Sequence, residues 1–106
     1  GTAAEITLYW QSVGEIGEDL AVFVHALDAS GKPAFQRDAT AGGRYPSGVW
    51  LEGEVVADRI VLDVPEGATG RYRLVAGLYR RLTGERLTLA DGGDMVELGV
   101  LEVRVP

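Results

Sequence analysis

Cysteine is absent from the 106 residues, histidine and methionine occur once each, and phenylalanine and tryptophan only twice each. Without a thiol the chain can build neither a disulfide framework nor a thiolate metal site, which leaves the redox compartment open. No run of about 20 apolar residues occurs, and no basic-then-apolar segment opens the chain, so as given it is expected neither to span a membrane nor to carry a signal peptide. Positive charge is scarce too: 10 Lys and Arg stand against 16 Asp and Glu, a formal charge of -6. A phosphate-binding face needs clustered cations, and here both signs are interspersed, so no nucleic-acid partner is expected.

Helical periodicity is also missing. Short runs of alternating apolar and polar residues recur instead between Gly, Pro and Asp clusters, the pattern of an all-β domain. A chain of this length buries roughly 65% of its unfolded surface, enough for one self-sufficient core. Residues 1–106 therefore read as a single domain, and the start at Gly1 with a strand pattern almost at once reads as a domain cut from a longer protein.

About seven strands are expected, arranged as an immunoglobulin/fibronectin-III-like β-sandwich of two antiparallel sheets. Glu5 to Ser12 points Ile6, Leu8 and Trp10 one way, so Trp10 is expected in the core. Leu20 to Ala29 is apolar on both faces, as a central strand is. Ala34 to Asp38 is short and polar, fit for an edge. After a long crossover, Arg59 to Val64 and Arg71 to Arg80 alternate cleanly, and Arg86 to Ala90 is expected as a further strand. In the last segment Val96 and Leu98 share one parity while Leu101, Val103 and Val105 share the other, which predicts a bulge at Gly99. Tyr72 follows the Pro65-Glu66-Gly67-Ala68-Thr69-Gly70 turn, where immunoglobulin-like folds place a tyrosine corner.

No motif reads as catalytic. His25 lies mid-strand with no nucleophile or second ligand in sequence reach, and is expected to join a structural polar network with Gln36 and Asp38, to which Asp58 and Tyr72 are added. A glycosidase needs two carboxylates about 5 to 10 Å apart. Asp28, Asp38 and Asp58 are the only ones in apolar surroundings, and turn capping or pairing with Arg37 and Arg59 accounts for them. Asp91-Gly92-Gly93-Asp94 has too few oxygens in register for calcium and reads as a turn. Gly42-Gly43 precedes no helix and lacks the lysine of a phosphate loop, so it reads as a positive-φ hinge. No metal and no cofactor are expected. Tyr45 and Trp50 in the crossover are the candidate ligand-binding pair, because exposed loop aromatics stack on sugar rings; the competing account is that they fold inward and plug the open end.

The strings Leu8-Tyr9-Trp10-Gln11, Val22-Phe23-Val24-His25 with Leu27-Asp28, Gln36-Arg37-Asp38, Gly43-Arg44-Tyr45-Pro46 with Trp50, and Gly53-Glu54-Val55-Val56-Ala57-Asp58 recur in a known setting. With Gly70-Arg71-Tyr72-Arg73-Leu74, Gly77-Leu78-Tyr79 and Thr83-Gly84-Glu85-Arg86-Leu87, they resemble the carboxy-terminal β-sandwich domain of large multi-pass bacterial membrane proteins of the dolichyl-phosphate-mannose mannosyltransferase type. The resemblance covers nearly the whole chain. Glycosyl transfer in that family is attributed to the membrane portion, so it transfers no catalytic residue. It implies an accessory module outside the cytoplasm, attached to the membrane only through the parent protein, non-enzymatic by itself, and serving either as an interaction or spacer domain or as a glycan-binding one. Two positions depart from the pattern: Ser47 stands where Thr is usual, and Arg80-Arg81 replaces a Tyr-Asp-Pro type of turn, which makes that edge locally basic.

Overall fold

Side-chain alternation along residues 55–64 sets the architecture. Val56, Asp58, Ile60, Leu62 and Val64 are buried while the residues between them are exposed, the mark of a strand with one face on a core and one in water. The computed structural model describes residues 2–104, which form six strands: β1 (Thr2–Gln11), β2 (Leu20–Leu27), β3 (Pro33–Thr40), β4 (Val55–Val64), β5 (Gly70–Arg80) and β6 (Val96–Val103). They make two antiparallel sheets, β1-β4 and β3-β2-β5-β6, packed as a β-sandwich. Strands β4 and β5 lie in different sheets, so the turn between them, Pro65 to Gly70, crosses the sandwich. No helix among the described residues is long and apolar enough to cross a membrane.

The core lies between the sheets. Leu8 of β1, Val22, Val24 and Ala26 of β2, Ile60 and Leu62 of β4, and Ala76 and Leu78 of β5 form one buried cluster. Burying such aliphatic side chains stabilises the fold by roughly 1.5 to 3 kcal/mol each before the entropy cost of ordering them. Strand β2 is buried along nearly its whole length, with only His25 partly open. That second, outward face of β2 is where the chemistry collects.

Several elements differ from the sequence reading. Strand β4 begins at Val55 rather than Arg59, because Tyr9, Trp10 and Gln11 of β1 give Ala57, Val56 and Val55 a pairing partner. Residues 86–90 form no strand: a single bridge joins Arg86 to Tyr79, Leu87 N–H donates to the Leu78 carbonyl at 2.9 Å, and the chain then peels away. The peeling sets Leu87 against the core beside Trp10, which keeps the apolar side chain inside at the cost of the ladder. Trp10 itself is half-buried. Its Nε1–H donates to Asp58 Oδ2 at 3.2 Å, and its ring borders a cleft of about 330 Å³ with Trp50, Leu78 and Leu87.

The bulge at Gly99 is present. Leu74 faces Gly99 and Val75 faces Glu97, so Leu98 is the extra residue, and Gly99 takes φ +139. Leu98 and Leu101 both end half-buried on either side of it; Val105 lies outside the described residues. Tyr72 Oη–H donates to the Thr69 carbonyl at 3.0 Å, which ties the start of β5 to the turn that crosses between sheets.

Candidate functional site

The period of two on β2 sends Phe23 and His25 to the outer face of the four-stranded sheet, since Val22, Val24 and Ala26 take the core. Register then decides their neighbours. Asp38 of β3 and Gly77 of β5 flank Phe23, while Gln36 and Val75 flank His25. Gly77 has no side chain because there is no room for one: a Cβ there would lie 2.5 Å from two carbons of the Phe23 ring and 2.7 Å from the Asp94 carbonyl. The ring therefore lies flat across β5.

Residues 81–94 fold back over this face and complete it. The Arg86 guanidinium carbon sits 4.4 Å from the centre of the Phe23 ring, a cation over an aromatic face, and Arg86 also faces Asp94 at 3.6 Å. His25 packs against the same ring with centroids 4.8 Å apart, and Tyr79 stands 6.4 Å away. Tyr79 Oη–H donates to Asp38 Oδ2 at 2.6 Å, and Gln36 Nε2 approaches Asp38 Oδ1 at 3.4 Å. Phe23, His25, Asp38, Tyr79, Gly84 and Arg86 surround a cleft of about 220 Å³. A second hollow, of about 460 Å³, adjoins it and shares Asp38 and Tyr79, its far side formed by Thr40 and Arg81, whose guanidinium donates to the Thr40 hydroxyl.

Electrostatics follow from these contacts. Burial holds the His25 pKa below the ordinary histidine value, Arg86 adds to the shift, and Asp38 opposes it. The imidazole is thus neutral at pH 7 and offers one donor and one acceptor. The hydrogen bond to Asp38 pushes the Tyr79 phenol up, so it keeps its proton and acts as a donor.

The residues assigned to one polar network by sequence fall into three places. Gln36 and Asp38 do meet, and the third partner is Tyr79, a residue the sequence reading passed over. His25 makes no hydrogen bond with either of them among the described residues and packs at a tilt of 42° against the Phe23 ring. Asp58, 3% exposed, lies on the buried face of β4, between the sheets, and accepts from Trp10, while Arg59 pairs with Glu5 instead. Tyr72 lies at the β4–β5 turn. The separation is geometric: β4 belongs to the other sheet, so a β4 side chain cannot reach the outer face of β2.

Tyr45 and Trp50 do not form a stacking platform. Trp50 is 6% exposed, and its Nε1–H donates to the Tyr45 carbonyl at 2.7 Å. Tyr45, 38% exposed, donates from its hydroxyl to Glu54 Oε1 at 2.7 Å, and that carboxylate also accepts from Leu51 N–H at 2.9 Å. Gly42, at φ +81, passes beneath the indole, where a Cβ would sit 2.9 Å from a ring carbon. Between the two aromatics the buried Ser47 accepts from Leu20 N–H at 2.7 Å and donates to the Glu18 carbonyl at 2.8 Å. Trp50 and Ser47 thus fold inward, while the Tyr45 side chain stays exposed on the loop.

The remaining candidates are structural. Asp28 Oδ1 accepts from the Ser30 hydroxyl at 2.6 Å and from the Ser30 and Lys32 N–H groups at 2.8 and 3.2 Å, which together hold its pKa below the usual carboxylate value. Asp91 Oδ1 accepts from Gly93 N–H at 2.8 Å within its own turn. The basic edge at Arg80-Arg81 is offset at Arg80, which pairs with Glu18 and Glu85.

In the cleft on the outer face the histidine contacts a ring rather than a hydroxyl or thiol, the carboxylate accepts from a protonated phenol, and the cation lies on an aromatic face. No protein-family model matches the chain, and no curated protein or solved structure is significantly similar to it.

Proposed function

We propose that this chain is a non-catalytic accessory module, held outside the cytoplasm by a membrane protein of the glycosyltransferase type, which presents the outer face of its four-stranded sheet as an interaction surface. The observation that carries the reading is a convergence. Four of the sequence strings behind the family resemblance bring residues to one place: Phe23 and His25, Gln36 and Asp38, Gly77 and Tyr79, Gly84 and Arg86. They build a polar and aromatic surface cleft, which suits recognition more than it suits a reaction. The glycan-binding alternative through loop aromatics loses its platform, because Trp50 is spent on the loop.

Because this chain holds no cysteine, a thiol placed in it reports on the module once the labelling of the unsubstituted parent protein is subtracted. Leu82 is almost fully exposed at the turn after β5. In the intact parent protein, a Leu82→Cys variant is expected to react with a membrane-impermeant maleimide on whole cells. Labelling only after the membrane is permeabilised would place the module on the cytoplasmic side and end this reading. In parallel, the chain is expected to turn over neither nitrophenyl glycosides nor polyprenyl-phosphate sugars.

A further inference from the structure

Two hollows on the outer face meet at Asp38 and Tyr79, one reaching to His25 and Arg86, the other to Thr40 and Arg81. They follow one another along β2, Ala21 in one and Phe23 and His25 in the other, with the Tyr79–Asp38 hydrogen bond crossing between them, and such a track of two shallow hollows in a row fits a linear ligand made of repeated units better than a compact one. The fixed charges along the track cancel: Asp38 and Asp94 are two negative, Arg81 and Arg86 two positive. An anion would meet the Asp38 carboxylate at the midpoint, and a cation would meet Arg81 on one side and Arg86 on the other.

Hydrogen-bonding capacity is instead mixed at every step. Asp38 has acceptor capacity beyond the bonds from Tyr79 and Gln36, Arg86 has donors beyond its contact with Asp94, and His25, free of hydrogen bonds among the described residues, has one of each. A ligand hydroxyl is a donor and an acceptor at once, so vicinal hydroxyls satisfy such a surface where a simple ion does not. The aromatic contribution is limited, because the faces of Phe23 are taken up by Arg86, His25 and the β5 backbone at Gly77. Affinity must then come from hydrogen bonds exchanged with water, each worth about 1 kcal/mol net, which gives weak, additive binding along a chain.

On these grounds, and resting on the reading of this face as the interaction surface, we propose that the track through Asp38 and Tyr79 is a binding site for a neutral linear oligosaccharide, engaged through its hydroxyl groups.

The test is an amide chemical-shift titration of the 15N-labelled chain with neutral tetrasaccharides (mannotetraose, maltotetraose, cellotetraose, chitotetraose) and with two charged tetramers, a uronate and a glucosamine. At least one neutral sugar is expected to give saturable shifts confined to residues 23–25, 36–40 and 77–86, and Asp38→Asn is expected to weaken it about tenfold with the spectrum otherwise unchanged. Stronger binding of a charged tetramer at the same amides would overturn the neutral-glycan assignment and leave the interaction surface standing. Shifts confined to residues 42–50, or full affinity in Asp38→Asn, would place the sugar elsewhere. No response from any neutral sugar would refute the assignment outright, and unresponsiveness of this face to all six would count against the surface as well.

Discussion

Tyr79 and Asp38 stand on strands that are not paired with each other, yet the Tyr79 hydroxyl donates to the Asp38 carboxylate at 2.6 Å, reaching over β2 from β5 to β3. The bond clamps three strands from the outside, over a central strand that is buried on both faces. It also fixes the carboxylate at the junction of the two hollows. Structure and binding geometry therefore share one contact.

Gly77→Ala is expected to be far more damaging than its one added methyl suggests. The new Cβ would fall 2.5 Å from the Phe23 ring and 2.7 Å from the Asp94 carbonyl, one of which is backbone and cannot swing aside. Overpacking of this kind costs about 1 to 3 kcal/mol or more. Urea denaturation should show that loss, and Phe23→Leu added to Gly77→Ala should recover only part of it. Equal stability of Gly77→Ala and the parent chain would mean that the ring does not lie across β5.

Ser47→Ala should destabilise the sandwich end. The hydroxyl is wholly buried and serves both Leu20 N–H and the Glu18 carbonyl, so its removal leaves an N–H and a carbonyl oxygen without that partner. Each such orphaned group costs about 1 to 3 kcal/mol. A drop of about 2 kcal/mol or more in unfolding free energy is expected, with faster exchange at the Leu20 amide. Unchanged exchange there would contradict the assignment.

Tyr72→Phe removes only the bond to the Thr69 carbonyl at a partly open turn. A loss of about 1 kcal/mol is expected, with circular dichroism unchanged. A neutral substitution would show that the tie between the sheets is made by the ring's packing against Phe35, 5.0 Å away centre to centre, and not by the hydroxyl.

Histidine supplies a pH dependence of definite sign. His25 has a folded-state pKa below its unfolded value of about 6.5, so the unfolded chain binds the proton more readily. Stability from this group is complete above about 6.5 and declines as pH falls through the window between the unfolded and the lower folded value. An NMR titration of the imidazole should give a midpoint below 6.5, and His25→Gln should flatten the melting-temperature slope as pH falls below about 6.5. A midpoint above 6.5 would mean that Asp38, not burial and Arg86, dominates the ring.

Period-two alternation was enough to place β1, β2, β5 and the bulge at Gly99, because each depends on which side of a strand a residue falls, and that is a local property. Residues 86–90 alternate as well as any strand, yet they leave β5 after one bridge, because Leu87 finds the core before a ladder can form. The site was half legible for a similar reason. Gln36 and Asp38 share an exposed parity on one strand, so their meeting can be read directly. Tyr79 and Arg86 join them only through strand order and the fold-back of residues 81–94, neither of which is encoded in spacing. Exposure of loop aromatics was likewise undetermined by sequence: Trp50 turns inward because the Tyr45 carbonyl, five residues back, accepts its N–H.

Two tyrosines, one on the outer face and one on the loop, allow a direct comparison of where a ligand makes contact. Affinity for the neutral tetrasaccharide that binds best should be measured in Tyr79→Phe and in Tyr45→Phe, each of which loses one hydroxyl from a hydrogen-bonded pair. The Tyr79 variant is predicted to bind about tenfold more weakly and the Tyr45 variant to bind as the parent chain does. The reverse order, with Tyr45→Phe impaired and Tyr79→Phe intact, would move recognition to the loop and contradict the outer-face site.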